Sequence, residues 1–437
     1  MTIAPPGPPS TATPTPTPTP HAAGPLVRLA VAIVVIAGIF FWLGLGDLFV
    51  VIVAVVVMIM VHEAGHFATA KWSRMKVTEF FVGFGPRLWS IRRGETDYGV
   101  KGIPAGGYVK IPGMTNLEEI DPADEARTYR QQPFYKRIIV VSAGSFMHFV
   151  MAFLLAWAAL VFIGGQTGAA VEVGSLSPFA GQHLNPAQRA GLKVGDLIVG
   201  VNGHSFSNPN QVVDAIKRSV DVPLRLEVQR DSRTRTLTVV PEDKRLVVSG
   251  GQRLEKLSGK PTGVIGVGLA GVNVPENPFG ALGGAGVVVG RTTSEAFTGL
   301  GLVFSPHGIA TYIHEVANPT AASQAQRANT PRPESIIGAV RTAVQGAQAG
   351  AGSLLEVLIA LNIFIGIANM LPMLPLDGGH VAIALYERIR TRRGRPYYQA
   401  DAAKLVPVAY AFIVLLILLV SSAAYLDITH PVTNPFG

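Results

Sequence analysis

The chain lacks cysteine and carries little charge. Of its 437 residues none is cysteine, and only 15% are Asp, Glu, Lys or Arg. The first fact excludes disulfides, thiolate metal sites and a cysteine nucleophile. The second excludes an ordinary soluble globule, in which about a quarter of the residues are charged. With 49% hydrophobic residues and a mean hydropathy of +0.37, the composition predicts a membrane protein with room for a soluble domain.

The charge that is present is predominantly basic. Lys and Arg number 36 against 28 Asp and Glu, which gives a formal net charge of +8. In so apolar a chain, an anionic membrane surface suits this charge better than nucleic acid does. We therefore expect a lipid bilayer and no nucleic acid among the partners.

The first 25 residues have almost no apolar runs. They hold nine of the 32 prolines and neither lysine nor arginine. Such a stretch cannot form a packed core, so residues 1–25 are predicted to be a disordered tail. Because the basic start of a signal peptide is missing, the apolar run that follows is expected to be a stable anchor.

Long apolar runs predict about five membrane-spanning helices, since one span needs roughly 20 helical residues. The first run is divided in two because Gly44 to Asp47 would be unfavourable in the middle of a membrane. The predicted spans are 26–46, which is an additional helix, 47–70, 137–163, 353–380 and 405–422.

Lysine and arginine near the ends of the spans predict the orientation. Between residues 71 and 137 there are 12 of them, and the loop 386–404 has six. Both 71–136 and 386–404 are therefore expected on the cytoplasmic side. The long stretch from 164 to 351 is then expected outside the cytoplasm.

One soluble unit can be discerned in that outer stretch. Pro186 begins a short helix, a buried strand follows over Leu197 to Val201, and Asn202-Gly203 is a typical hairpin turn. With a helix over Val212 to Arg218 and a final strand pair, residues 169–242 resemble a bacterial PDZ domain. PDZ domains bind extended peptides at a sheet edge. Another small α/β module is the alternative, and residues 243–350 carry no assignment.

The motif with the clearest chemistry is His62-Glu63-Ala64-Gly65-His66, at the end of an apolar helix. Residues four apart share one face of a helix, so both imidazoles can reach one Zn²⁺ while Glu63 contacts its water. Three ionisable residues at membrane depth are costly and indicate function. The alternative is a helix end at which these side chains simply meet water.

A catalytic zinc ion takes three protein ligands and keeps one position open. The candidates near other spans are His148, Glu356, Asp377 and His380. Asp377 follows a stretch in which Pro372 and Pro375 interrupt a hydrophobic span. Broken backbone at membrane depth is tolerated where it lines a polar cavity, and an aspartate there needs a cation.

The motif H-E-A-G-H at 62–66 and the motif N-M-L-P-M-L-P-L-D-G-G-H at 369–380 are separated by a span and the PDZ-like unit. In this combination the chain resembles the site-2 protease family of intramembrane zinc metalloproteases, over about Phe49 to Val420. More closely, it resembles the bacterial enzymes of this family that cut membrane-bound anti-sigma factors. The resemblance implies that His62, His66 and Asp377 bind Zn²⁺ and that Glu63 is the general base.

The resemblance also implies contacts with the substrate. The residues expected to make them are Asn369, Pro372, Gly83, Gly85, Gly106 and Gly107. For Asn369, a mere helix-terminating role is the alternative.

Two stretches alternate apolar residues with glycines, as β-hairpins do. They are Phe80 to Pro86 and Tyr98 to Gly113. They resemble the membrane-dipping β-loops of the family, to which an unwound substrate could add as a strand. A solvated cytoplasmic hairpin is the alternative.

One stretch of the second core helix departs from the family pattern. Ser145 and His148 stand where many relatives carry the proline and asparagine of a Gly-Pro-x-x-Asn motif. His148 is expected to take over the hydrogen bonding of that asparagine. It is not expected to bind zinc, because a fourth side chain would close the position that water needs. No ligand role is expected for His380 either.

The expected fold class is a polytopic α-helical membrane protein with about four to five transmembrane helices, membrane-associated β-loops and one extracytoplasmic PDZ-like α/β domain. The expected location is the bacterial inner membrane. The expected activity is zinc-dependent cleavage of the transmembrane segments of single-span proteins, such as pre-cleaved anti-sigma factors. A non-catalytic PDZ-bearing adaptor is the alternative, whereas an ion transporter would need more polar residues across its spans. The sequence leaves the oligomeric state open.

Overall fold

The computed structural model describes residues 23–114, 118–179, 184–206, 208–231, 233–249, 252–253, 259–328, 332–391, 398–432 and 434–436. Most of the predicted tail 1–25 and part of the predicted basic loop 386–404 lie outside the described residues. The chain divides into two compact units. One combines Met1–Ala152 with Thr293–Gly437, and the other is Phe153–Thr292.

The elements are numbered in chain order. The helices are α1 (Ala23–Trp42), α2 (Gly46–Trp72), α3 (Phe134–Phe162), α4 (Pro186–Arg189), α5 (Pro209–Arg218), α6 (Gly280–Val303), α7 (Pro306–Ala317), α8 (Pro319–Ala328), α9 (Ile336–Ala349), α10 (Ala351–Asn369), α11 (Asp377–Arg390) and α12 (Ala402–Thr429). The strands are β1 (Glu79–Arg93), β2 (Thr96–Lys110), β3 (Gly165–Leu176), β4 (Leu197–Val201), β5 (His204–Ser205), β6 (Leu224–Arg230), β7 (Arg233–Val239), β8 (Glu242–Asp243), β9 (Val248–Ser249), β10 (Gln252–Arg253), β11 (Gly263–Val264) and β12 (Val267–Val274).

Four helices in the described part of the chain are long and apolar enough to cross a membrane. They are α2, α3, α10 and the part of α12 from Lys404 to Thr429. A helix satisfies all of its backbone hydrogen bonds internally, which hydrocarbon requires. Helix α1 covers the predicted extra span only as far as Trp42, and its apolar part, Ala30–Trp42, is shorter than the other four. A span at 26–46 therefore stays a prediction.

The stretch 353–380, predicted as a transmembrane helix with the L-D-G-G motif at its end, consists of two helices. Helix α10 ends at Asn369, and α11 begins at Asp377. Pro372 and Pro375 lie between them, and proline lacks the N–H that would continue a helix. This interruption makes Asp377 the first residue of a new helix, after the break that the two prolines predict.

The strands β1 and β2 form a small sheet in which β1 pairs twice. Phe81 lies opposite Gly99 in one register and opposite Tyr108 in the other. The last part of β2, Gly107–Lys110, is therefore an outer strand. Its second edge pairs with no other strand in the described part of the chain. Helix α2 packs on β2, beside a core of buried residues: Ala70, Met75, Val77, Ile111, Tyr129, Val140 and Val141.

The second unit is built on a sheet with the strand order β12-β3-β4-β6-β7, and β5 pairs with β4. The predicted helices at 186 and 212, the buried strand at 197 and the final strand pair all appear, as α4, α5, β4, β6 and β7. The sheet continues beyond the predicted boundary at residue 242, because β12 pairs with β3 at its edge. Its core residues include Val173, Ile198, Val212 and Leu226.

Candidate active site

Helix α2 brings two histidines to one point. His62 and His66 lie one turn apart, and each is only 8% exposed. Their Nε2 atoms are 3.1 Å apart. The carboxylate of Asp377, the first residue of α11, places Oδ2 3.5 Å from each of these nitrogens. The three residues, of which the first and the last are 315 positions apart along the chain, thus converge through the break between α10 and α11.

These three atoms fit a zinc ion. Zinc takes nitrogen ligands at about 2.0–2.1 Å, so in a tetrahedral site neighbouring donor atoms are about 3.3 Å apart. The observed separations of 3.1 and 3.5 Å enclose that value. Among the described residues, His62, His66 and Asp377 form the one group of His, Asp and Glu side chains that could hold a metal ion. Three protein donors leave a fourth tetrahedral position for water.

The backbone of α3 orients the imidazole of His66. The Nδ1 atom of His66 lies 2.7 Å from the carbonyl oxygen of Val140. Because a carbonyl only accepts hydrogen bonds, Nδ1 carries the proton and Nε2 is left as an unprotonated donor to metal. Nδ1 of His62 makes no hydrogen bond within the described residues, although the backbone of Gly144, one turn further along α3, lies close to this ring.

Gly144 leaves the space that these rings occupy. A Cβ atom at this position would lie 2.3 Å from Nε2 of His66 and 2.7 Å from Nε2 of His62. Real Cβ atoms do not approach other atoms so closely, and both clashing atoms are the ones that would bind the metal. The absence of a side chain at Gly144 is therefore a requirement of the cluster.

Glu63 lies next to the outer strand of the β1/β2 sheet. Its side chain faces Gly107, where a Cβ atom would lie 3.5 Å from Cγ of Glu63 and 2.8 Å from Sδ of Met60. The backbone of Val109 also interacts with the Glu63 carboxylate. The carboxylate is thus held between the metal cluster and the strand Gly107–Lys110.

Ser145 and His148, the two departures from the family pattern, both lie at the cluster. Oγ of Ser145 is 3.5 Å from Oδ2 of Asp377, which is long for a hydrogen bond. The ring of His148 lies 5.1 Å from that of His62, measured between centroids. Its Nδ1 atom contacts Oδ1 of Asn362 at 3.0 Å. Within the described residues His148 does not belong to the three-ligand group.

The remaining predicted residues lie around this centre. Asn369 is half-buried at the end of α10, and Pro372 is exposed in the loop that leads to Asp377. His380 lines a separate cavity of about 240 Å³. The three hairpin glycines other than Gly107 have positive φ angles: Gly83 (83°), Gly85 (82°) and Gly106 (140°).

Sequence reasoning missed three parts of the site: the Val140 carbonyl, the requirement for Gly144 and the partner of His148. A backbone carbonyl has no signature in a sequence, and a single glycine in an apolar helix is ambiguous. Asn362 could have been noticed, because a polar side chain in the middle of an apolar span usually bonds to a neighbouring helix.

The comparisons with known proteins agree with this geometry. Peptidase family M50 matches residues 50–416. Zinc metalloprotease Rip1 of Mycobacterium tuberculosis is 32% identical over 395 residues, which are 85% of this chain and 94% of the relative. Zinc metalloprotease Rip1 of Mycolicibacterium smegmatis is 30% identical over 402 residues, which are 86% of this chain and 95% of the relative. The chain belongs to peptidase family M50, the site-2 proteases, and is a membrane zinc metalloprotease.

Proposed function

We propose that this protein cleaves the transmembrane segments of single-span membrane proteins, with zinc held by His62, His66 and Asp377. The observation that carries the proposal is the triangle of Nε2, Nε2 and Oδ2 atoms, with sides of 3.1, 3.5 and 3.5 Å. It is supported by the position of the two histidines on α2, a helix that could itself span a membrane.

Zinc in this site supplies a Lewis acid that activates water and polarises the scissile carbonyl. Glu63 takes the proton of the attacking water and passes it to the departing amine, which is the work of a general acid and base. Val140 holds the imidazole of His66 through its carbonyl, so that Nε2 of His66 stays unprotonated. The buried position of the histidines keeps bulk water from competing for the site.

Cleavage also requires an extended substrate, because a helix hides its carbonyls in internal hydrogen bonds. The strand Gly107–Lys110 offers an edge that pairs with no other strand among the described residues, and Gly107 and Val109 lie against Glu63. A substrate segment that adds to this edge would pass beside the catalytic carboxylate, by the strand addition known from many peptide-binding proteins. Asn369 and Pro372, in the loop before Asp377, are proposed to contact the substrate backbone. Gly83, Gly85, Gly106 and Gly107 of this hairpin are likewise proposed to contact the substrate, and the first three have the positive φ angles that bend its backbone.

The second unit is proposed to be a PDZ-like domain outside the cytoplasm, with the enzyme in the bacterial inner membrane. A groove of about 610 Å³ lies between α5 and the segment Gly263–Leu269. Strand β12 is an edge strand of the sheet, so a peptide can add to it. We propose that this groove binds substrates that another protease has shortened, such as a pre-cleaved anti-sigma factor.

The test is cleavage of a single-span substrate by protein reconstituted in lipid vesicles. We expect fragments whose new ends lie inside the transmembrane segment, and loss of both zinc and cleavage in His62→Ala and Asp377→Asn. A protein that binds zinc and yet cuts only outside the transmembrane segment would contradict the proposal. A non-catalytic adaptor, the alternative, predicts no fragments at all.

A further inference from the structure

A buried histidine beside the metal cluster has no task in the mechanism above. His148 on α3 is 2% exposed and lies next to the ring of His62. Its partner Asn362, in the middle of α10, is completely buried. Polar side chains at this depth are costly unless they are paired, and a buried polar pair within a membrane-spanning helix indicates a function.

The hydrogen bond between them has a defined polarity. Nδ2 of Asn362 donates to the carbonyl oxygen of Leu358 at 2.8 Å, which fixes the orientation of the amide. Oδ1 of Asn362 is therefore the acceptor that faces His148 at 3.0 Å. An amide oxygen only accepts, so Nδ1 of His148 is the donor. His148 therefore contributes an N–H group that donates a hydrogen bond to Asn362 on α10.

Helix α10 approaches α3 closely at this point. Gly366, one turn after Asn362, is so near that a Cβ atom there would lie 3.1 Å from Cβ of His148. The His148 ring therefore lies between the ligand His62 on one side and α10 on the other. Displacement of α10 would act directly on the ring that contacts His62.

We propose that the His148–Asn362 hydrogen bond is a positioning link of the metal centre. It fixes α10 against α3 at the turn of α3 that lies beside the ligand His62. His148 is a positioning residue and not a ligand, and what it supplies to the link is the donor N–H on the α10 side. The inference rests on the proposed function in one respect only, namely that His62 binds zinc.

The link is defined by a donor at position 148, so different replacements give different results. His148→Asn keeps an N–H donor for Oδ1 of Asn362. His148→Leu removes it and leaves a buried acceptor without a partner. The double replacement His148→Leu with Asn362→Leu removes both polar groups, which costs less stability than leaving one of them unpaired. The double variant therefore tests the link even if His148→Leu alone does not fold.

The experiment measures zinc affinity by chelator competition and records the visible spectrum of the cobalt-substituted protein. Residues that orient metal ligands typically contribute 10- to 100-fold to affinity or activity. We expect about a tenfold loss of zinc affinity and an altered cobalt spectrum in His148→Leu and in the double variant. His148→Asn is expected to stay within about threefold of the parent protein. Phe146→Leu, at a position of α3 that is 64% exposed, is the control for substitution on the same helix.

A second readout is independent of metal. Because the chain has no cysteine, spin labels can be attached at Phe146→Cys on α3 and Phe364→Cys on α10 without background. Both positions are exposed, at 64% and 47%. We expect the distance distribution between the labels to broaden in His148→Leu and to remain narrow in His148→Asn. Unchanged zinc affinity and spectrum in the leucine variants, or equal damage in His148→Asn, would overturn the inference. Neither readout requires cleavage, so a wrong substrate class would leave this result intact.

Discussion

The carbonyl oxygen of Val140 accepts a hydrogen bond from Nδ1 of His66 at 2.7 Å. This contact joins α3 to α2 and decides which nitrogen of His66 is free for metal. The same helix brings the backbone of Gly144 close to both ligand rings, because this residue has no side chain. A backbone partner cannot be removed by mutation, but the space that lets it come close can be filled.

Gly144→Ala is expected to abolish zinc binding. The added methyl group would lie 2.3 Å from Nε2 of His66, so the two helices would have to separate. Zinc content of the purified protein is the measurement. Gly38→Ala in α1 is the matched control, because a Cβ atom there meets nothing within 4 Å and alanine favours the helix. Full zinc content in Gly144→Ala would show that the helices are not packed as described.

Gly107→Ala is expected to reduce kcat without loss of zinc. Its methyl group would lie 2.8 Å from Sδ of Met60 and would push the strand away from Glu63. Since the sulfur belongs to a flexible side chain, Gly107→Ala combined with Met60→Ala should recover part of the activity. If kcat of the double variant is no higher than that of Gly107→Ala, the contact between residue 107 and Met60 is not what lowers the activity.

Arg137→Met is expected to lower the melting temperature strongly. Arg137 on α3 and Glu387 on α11 form an ion pair at 2.7 Å, with side chains only 5% and 6% exposed. Removing one partner of a buried pair costs about 3–5 kcal/mol, because it leaves the other charge uncompensated. Arg137→Met with Glu387→Leu should therefore be more stable than Arg137→Met alone.

The exposed pair of Lys404 and Asp401, 3.6 Å apart and 83% and 53% exposed, provides the control for this prediction. Lys404→Met should change the melting temperature in detergent little, since exposed pairs contribute about 0–1 kcal/mol. Equal effects at the two sites would contradict the proposal that burial decides the outcome.

Val213→Asp is expected to weaken peptide binding by the second unit at least tenfold. Val213 lines the groove between α5 and Gly263–Leu269, and a carboxylate there would face the peptide. Binding of a fluorescent peptide with a free C-terminus to the full-length protein in nanodiscs is the measurement. Val194→Asp, at an exposed position outside the groove, should bind as the parent protein does. Equal peptide affinities for the parent protein, Val213→Asp and Val194→Asp would contradict the proposed peptide-binding role of the groove.

Much of the site follows from the sequence, because residues of a regular helix have a fixed geometry. His62 and His66 share a face in any α-helix, and two prolines within five residues before Asp377 disfavour a continuous helix there. The strands of the second unit are likewise local features with turn residues at their ends.

The tertiary parts of the site do not follow. Which face of α3 meets α2, and hence Val140 and Gly144, is decided by packing between helices that are apolar all round. Strand β12 begins 25 residues after the predicted domain boundary at 242, and its pairing with β3 is a contact between distant parts of the chain that no local pattern indicates. The pairing of His148 with Asn362 links two spans that are more than 200 residues apart.

The most direct test of the central claim is Glu63→Gln in lipid vesicles with a single-span substrate. Glutamine keeps the size of the side chain and removes its ability to take a proton. The account predicts that the variant binds one zinc ion per chain, as the parent protein does, and cleaves at least 1,000-fold more slowly, roughly the upper part of the range for a lost general base. Cleavage at the parental rate by Glu63→Gln would contradict it.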